Sequence, residues 1–530
     1  MNYKNRQKLV LLAFLLPIIS FAQTVDFEDF RDECTTITMG KKATHDGSVR
    51  TSHTDDSHRT RSNILIVPAA NHPKEATVTM YKRLWCDTTK MRSYRNDSIG
   101  VIPQVEHTFG YINTAYPCMN EKQLAIGEST IGGRNTLQSD NGLIDCQRLC
   151  GLLLQRCSTA RQAIATAGDL LKKYGWIDAG ECLTIADKNE VWHLEIYGPG
   201  KGNKGALWVA QRVPDDHVAV NANASTISLI DTTLHDYFMY SDNLFQLALD
   251  SGWWKKGEPF RFCYVYAPHS RTMLACRRRE WRVFDLVAPS LHLDPNTELY
   301  PFSVKPDSLV SIEKMMSIFR DYYEGTEYDM RKNITVTNDS GKTVISPLAN
   351  PFMTVDELKL HKVNGGWHQY GERAIAVRFT MYGTVLQCRN WLPDEIGGVA
   401  WIALDNVASS VYVPIYCSVT DLPTTYKTCG RQTGFSKDAA WWAFNRLGTL
   451  ASKRWGSMRH DIDSTWQPFQ NEMFTEQPVI EKKALDVYNA KNPTKTIKIL
   501  TDYTNLYANK AVQKAWDLGD QIWTKYDGMW

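Results

Sequence analysis

Between Cys34 and Leu143 the apolar residues return at every second position, in short runs broken by glycine, asparagine and aspartate. No other feature constrains the fold as strongly, because CTTITMG, SVRTSHT, NILIVP, VEHTFGYINTAYP and LAIGEST each read as a strand of an antiparallel sheet. From Leu143 to Tyr174 the period lengthens: Leu149, Leu152, Leu153, Ala160, Ile164, Ala167, Leu170 and Leu171 fall at three- and four-residue steps. That spacing predicts one or two helices, the second opened by Ser158-Thr159 as its N-cap. Strands return at Cys182–Ala186, Glu190–Tyr197, Ala206–Arg212 and His217–Asn221. GPGKGNKG joins two of them and lacks the trailing GK[ST] of a phosphate loop, so it is expected to be a hairpin turn. Strands, helices and strands again predict a layered α+β class. Farther on, helices are expected over Ser308–Tyr323 and Lys437–Lys453, strands around Arg373–Leu386 and Val399–Ile402, and a helical, one-face-apolar segment over Phe474–Tyr526.

With 530 residues and 43% of them hydrophobic, the chain has material for a large core, and one catalytic core with insertions is compatible with that length. Lys plus Arg number 60 against 58 Asp plus Glu, which removes the basic footprint of a nucleic-acid binder. The first residues are not part of the fold. Lys4, Arg6 and Lys8 precede an apolar run, Leu9–Phe21, and Ser20-Phe21-Ala22 offers a small-x-small cut site before Gln23. The run is about 13 residues, short of the roughly 20 of a spanning helix, and no other stretch comes close, so no membrane span is expected. Residues 1–22 therefore read as a signal peptide for export to a periplasmic or extracellular location. Gln23–Glu33 is acidic and reads as a short pro-peptide; 34–473 is expected to be the catalytic domain and 474–530 a helical segment packed on it.

Twelve cysteines are too dilute for a disulfide scaffold at this length, and no CxxC pair occurs. Cys146, Cys150 and Cys157 lie on one helix stripe and read as small buried hydrophobes, while Cys417 and Cys429 flank a loop that a disulfide could bridge. Cys34 stands apart. Cutting after Glu33 would give it a free α-amine beside its thiol, with pKa values of about 7.7–8.0 and about 8.5 that allow proton transfer near neutrality. A buried strand cysteine or a disulfide partner fits the same position.

CTTITMGKKATHDGSVRTSHTDD (Cys34–Asp56) resembles the start of mature peptidases of the dipeptidase family of N-terminal-nucleophile cysteine hydrolases, relatives of penicillin V acylase and bile-salt hydrolase. The likeness continues in YPCMNEKQLAIGEST (Tyr116–Thr130), STARQAI (Ser158–Ile164), LWVAQRVPDDHVAVNANAS (Leu207–Ser225), FRDYYEGTEYD (Phe319–Asp329), LPDEIGGVAW (Leu392–Trp401) and DAAWWAFNRL (Asp438–Leu447). These strings follow the family's order across nearly the whole mature chain. The resemblance implies a four-layer αββα sandwich with a helical C-terminal extension, Cys34 as nucleophile, no cofactor and short peptides as substrates. It also implies Asp56 beside the N-terminal amine and Asn223 as oxyanion donor.

One departure stands out. Where the family carries an arginine in a motif resembling Arg-Asn-x-Asp, this chain has His53 in His53-Thr54-Asp55-Asp56. Histidine titrates near neutral pH and lacks the guanidinium fork, which predicts weaker or pH-gated support of the thiolate. Arg50 is a possible substitute, but positions 50 and 53 face opposite sides of a strand. The GEST tip, Gly127–Thr130, is expected opposite Asn223, with Ser129 and Thr130 as accessory donors or as turn formers, and Asn223 itself fits a simple turn cap. His45, His53, His58 and His72 form no HxxxH or HExxH pair, so no metal site is expected. The seventeen tryptophans are scattered, which favours core packing over a sugar groove. The leading reading is an exported cysteine dipeptidase; an N-acyl amide hydrolase with the same mechanism and a catalytically weak binding protein on this fold are the alternatives.

Overall fold

The computed structural model describes residues 33–57, 59–87, 92–354, 357 and 373–529. The signal peptide and nearly all of the acidic run therefore lie outside the described residues, as does His58. Strands are numbered in chain order. The first sheet has seven antiparallel strands in the order β16 (Ser303–Val304), β14 (Val218–Asn221), β1 (Glu33–Met39), β2 (Val49–Asp56), β19 (Thr380–Cys388), β20 (Val399–Leu404) and β21 (Val413–Tyr416). The second has eight: β15 (Phe238–Tyr240), β13 (Leu207–Arg212), β12 (Val191–Tyr197), β11 (Gly180–Ala186), β10 (Ala125–Ile131), β9 (Met119–Asn120), β8 (Tyr111–Asn113) and β3 (Leu65–Val67). Three two-stranded ribbons complete the strands: β4 (Ala70–Asn71) with β7 (His107–Thr108), β5 (Thr77–Asp87) with β6 (Arg92–Pro103), and β17 (Thr335–Thr337) with β18 (Thr343–Ile345).

The sheets meet face to face where β1 and β2 cross β10 and β11. Gly127 is required at that crossing, since a Cβ there would lie 2.1 Å from the carbonyl oxygen of Ser52 on the opposite sheet. Helices α1 (Cys146–Arg156) and α2 (Ala160–Tyr174) cover the second sheet. Asp145 caps α1 by accepting from Arg148 N, and Thr159 caps α2 by accepting from Gln162 N. Three C-terminal helices, Ala440–Ser452, Trp455–Asn489 and Pro493–Lys525, cover the first sheet. The order helix, sheet, sheet, helix is the expected αββα sandwich. Both sheets are thus buried on two faces, and β1, β2, β11 and β12 are buried almost throughout.

Some boundaries differ from the sequence expectation. The helix expected over Ser308–Tyr323 is confined to Ile312–Ile318, capped by Ser311, and the chain leaves the helical region by Tyr323, whose φ is 65°. The strand expected from Arg373 begins at Thr380, because Ala376 N is already bound to Asp321 O outside the sheet. Position 474 falls inside the helix Trp455–Asn489, so the segment from 474 does not begin at an element boundary. Cys417 and Cys429 do not bridge: both are free thiols, Cys417 donating to Asp394 O at 3.2 Å and Cys429 bonded to Gln432. Cys146, Cys150 and Cys157 are buried. Trp176, Trp192, Trp401 and Trp455 are among the largest fully buried side chains, in keeping with core packing. GPGKGNKG joins β12 to β13 as a hairpin. No helix among the described residues is long and apolar enough to cross a membrane.

Candidate active site

Cys34 is the second residue of β1, which faces β10 of the opposite sheet. Its Cα partner on β2 is Asp55, while Glu33 pairs with Asp56. The thiol is 3% exposed and donates to Glu128 Oε1 on β10 at 3.1 Å. Burial, then Glu128, then Asp55 and Asp56 push its pKa well above the ordinary thiol range, so with Glu33 still attached the sulfur is held protonated. The backbone nitrogen of Cys34 donates to Asn223 Oδ1 at 3.1 Å.

Glu128 lies at the centre of the polar cluster. His53 Nε2 stands 3.2 Å from Glu128 Oε1, an ion-pair contact that lies off the line of a hydrogen bond. Burial opposes the charge on His53, but Glu128 outweighs it and raises the imidazole pKa; burial likewise opposes the Glu128 carboxylate, but His53 and the Cys34 thiol bring its pKa below the usual carboxylate value. Edge-on rings of Tyr116 and Tyr382, with centroids at 5.5 and 5.7 Å, wall the imidazole in. Glu181 on β11 accepts from Thr130 Oγ1 at 3.1 Å; burial, then the nearby Glu128 charge, raise its pKa strongly, so it holds a proton. Among the described residues, the Oε2 atoms of Glu128 and Glu181 have no hydrogen-bond partner.

Asn223 follows β14 with φ 64°, a left-handed conformation that asparagine tolerates and that marks functional turns. Its Oδ1 also accepts from Arg279 Nη2 at 2.9 Å, and its Nδ2 donates to Thr130 O at 2.7 Å and Ser129 Oγ at 3.3 Å. GEST is therefore the body of β10 and not the tip of a turn, and it meets Asn223 through Ser129 and Thr130. Asp56 accepts from Arg373 Nη2 at 2.6 Å, Thr380 Oγ1 at 2.7 Å and Thr54 Oγ1 at 3.1 Å. Thr54 Oγ1 in turn accepts from Thr35 N at 3.0 Å, so Asp56 reaches β1 through a hydroxyl. A bulge between Thr380 and Tyr382 aims Thr380 at Asp56. Arg50 is not brought to Cys34: it pairs with Met39 at the far end of β1 and bonds Asp46 Oδ1 at 2.6 Å and Val310 O at 3.1 Å.

Three charged residues of this cluster carry no sequence signal of their own. Glu128 sits inside GEST, where Ser129 and Thr130 are the more obvious donors. Arg279 lies on helix Leu274–Val287 in the run RRRE, which reads as a solvated face; it is buried, and donates to Cys34 O at 2.8 Å, Thr35 Oγ1 at 2.9 Å and Ala222 O at 3.1 Å. Arg373 is an isolated arginine between elements. As for metals, the Cys34 thiol, the His53 imidazole and a Glu128 oxygen lie within 4.8 Å of one another, a zinc-type donor set on a residue pattern that the histidine spacing had not indicated. A cation there would occupy the sulfur.

The family model Peptidase family C69 matches residues 33–468. A probable dipeptidase of Latilactobacillus sakei is 25% identical over 442 residues, covering 81% of this chain and 83% of that protein. Dipeptidase A of Lactobacillus helveticus is 24% identical over 405 residues, covering 75% and 77%. Among solved structures, penicillin V acylase from Agrobacterium tumefaciens aligns with 11% identity and a TM-score of 0.27, covering 72% of this chain and 86% of that one.

Proposed function

The chain belongs to peptidase family C69, and from that premise we propose that it is an exported cysteine dipeptidase whose nucleophile, Cys34, is unmasked by removal of the segment ahead of it. One observation carries the reading: the family match opens at residue 33, so the charged-then-apolar leader and the acidic run through Asp32 stand outside it and Cys34 is its second residue. While Glu33 is attached, the nitrogen of Cys34 is an amide and cannot serve as a base. Glu128, 3.1 Å from the sulfur, is the group placed to accept the thiol proton. Sulfur then attacks the carbonyl carbon of Glu33, the bond to the Cys34 nitrogen breaks as a proton passes to that nitrogen, and water cleaves the thioester to a Glu33 carboxylate and a free thiol.

In the cut enzyme the α-amine of Cys34 takes over as base. It accepts the thiol proton as sulfur attacks the carbonyl of a dipeptide's first residue, and it returns the proton to the leaving amino group; water resolves the thioester. Asn223 supplies an oxyanion donor by turning one Nδ2 hydrogen from the 3.3 Å contact with Ser129, the weaker of its two bonds. Asp56, with Arg373 and Thr54, is a positioning residue that holds the strand end on which the amine sits. The test is the mass and N-terminal sequence of the active protein, with hydrolysis of dipeptides bearing free and acetylated amino ends. A start at Cys34 and hydrolysis of the free dipeptides are expected. Preference for the acetylated form would make the protein an acylase, and active enzyme that still starts at Gln23 would defeat the free-amine mechanism.

A further inference from the structure

Glu33 occupies a place that a substrate must later fill. Its Oε2 lies 3.0 Å from Arg373 Nη1 and 3.8 Å from Arg279 Nη2. Both guanidiniums are deeply buried, Arg279 at 0% and Arg373 at 5% exposure. Among the described residues, Arg279 hydrogen-bonds only neutral acceptors: the carbonyls of Cys34, Ala222 and Ala275, the Thr35 hydroxyl and the Asn223 amide. Arg373 is ion-paired to Asp56 through Nη2, but among the described residues its Nε and Nη1 make no hydrogen bond. Among the described residues, the ion pairs of these two arginines are with Asp56 and Glu33. Two buried cations are thus balanced by two carboxylates while the segment is attached, and by one once Glu33 has left. An uncompensated buried charge is strongly unfavourable, because the low-dielectric interior screens it poorly. The vacated position therefore favours an anion, and the free donors of Arg373 are already in place to receive it.

The position is defined by chemistry as well as by charge. The same sulfur attacks the carbonyl of Glu33 during unmasking and the carbonyl of a dipeptide's first residue in turnover, so the side chains of those two residues point into the same space. We propose that Arg373 and Arg279 form an acidic-residue subsite, and that the preferred substrates are dipeptides whose first residue is glutamate, with aspartate second because its carboxylate is one methylene shorter. The proposal rests on the reading that Cys34 attacks both bonds.

The unaltered mature enzyme decides it, with kcat/KM measured for Glu-Ala, Asp-Ala, Gln-Ala, Ala-Ala and Ala-Glu. Glu-Ala and Gln-Ala differ in charge and scarcely in shape. Glu-Ala should exceed Gln-Ala about a hundredfold, short of the roughly 10,000-fold of sites that reject a substrate lacking a hydrogen-bonding group because glutamine still fills the space, with Asp-Ala between them and Ala-Glu no better than Ala-Ala. Glu-Ala and Gln-Ala within threefold of each other, or Ala-Glu equal to Glu-Ala, would overturn the subsite while leaving the dipeptidase reading intact. Hydrolysis of none of the five would instead remove the dipeptidase reading, and the subsite with it. Arg373→Gln adds a second arm: the ratio of Glu-Ala to Gln-Ala should collapse toward one, a readout in which the shared consequences of disturbing Asp56 cancel. A ratio that survives the substitution would exclude Arg373 as the selecting group.

Discussion

The end of the sandwich around Cys34 and the layer where the C-terminal helices meet β20 and β21 are both buried, but they are built on opposite principles. In the helical layer Phe444, Trp466, Phe469 and Tyr507 pack ring against ring, and the polar atoms they bring inside find partners: Trp466 Nε1 donates to Ser409 O at 3.0 Å, and Gln470 bonds both the N–H and the carbonyl of Tyr412. Around Cys34 the same degree of burial encloses His53, Glu128, Glu181, Arg279 and Arg373, and leaves polar atoms of His53, Glu128, Glu181 and Arg373 without a hydrogen bond. Removing an apolar group from the first region leaves a cavity, felt as lost stability. Removing a charged group from the second leaves its partner uncompensated in a low-dielectric site, felt as altered proton affinity and altered chemistry.

That contrast is open to test, most forcefully at Cys34. Cys34→Ala should abolish turnover and, in a purified translation system, retain the acidic segment; alanine recovered there as the first residue would show that cutting does not need the thiol. Glu128→Gln should slow cutting about 100- to 10,000-fold, the usual range for a lost general base, read as the rate at which the intact mass falls. The unaltered chain checks the same point, since with an ionised Glu128 as base the rate should be nearly flat from about pH 6 to 8, whereas direct use of a thiolate would raise it about tenfold per unit. In the helical layer, Trp466→Ala should cost about 3–5 kcal/mol of stability in urea unfolding, with kcat/KM of the folded enzyme close to native. A large fall in activity at native stability would mean that the two regions are not separable.

A smaller effect belongs to His53 and is distinguished by its pH dependence. The pKa of His53 is raised above 6.5 and that of Glu128 lowered below 4.5. The stability that the pair adds over His53→Gln is therefore complete between about pH 4.5 and 6.5. It declines as pH rises through the raised histidine pKa and as pH falls through the lowered carboxylate pKa. Unfolding free energies of the two proteins across that range check it, and a difference growing toward alkaline pH would contradict the ion pair. The smallest effect is expected from Arg50→Lys, which should change kcat/KM less than threefold, because Arg50 is engaged with Asp46 and Val310 away from the sulfur.

Local pattern accounts for what could be read directly. The strands β1, β2, β10, β11 and β12, the helical stretch of α1 and α2 with the N-cap at Thr159, and the position of Cys34 at a strand start all follow from periods of two and 3.6 and from a capping residue, which are properties of neighbouring residues in the chain. The family resemblance then pointed to Asp56 and Asn223 and drew attention to His53. Glu128, Arg279 and Arg373 could not be read in this way, since nothing near them in sequence signals their role. Glu128 is separated from Cys34 by 94 positions and Arg279 by 245, yet each touches it. A strand or helix pattern says which face of an element is buried, but it does not say which other element closes over that face. Only the crossing of β1 and β2 over β10, the packing of the arginine-rich helix on β14 and the approach of Arg373 to Asp56 decide which charges share a site. Those contacts also decide whether a residue such as the arginine of RRRE lies in water or in the core, and so what charge it must answer there.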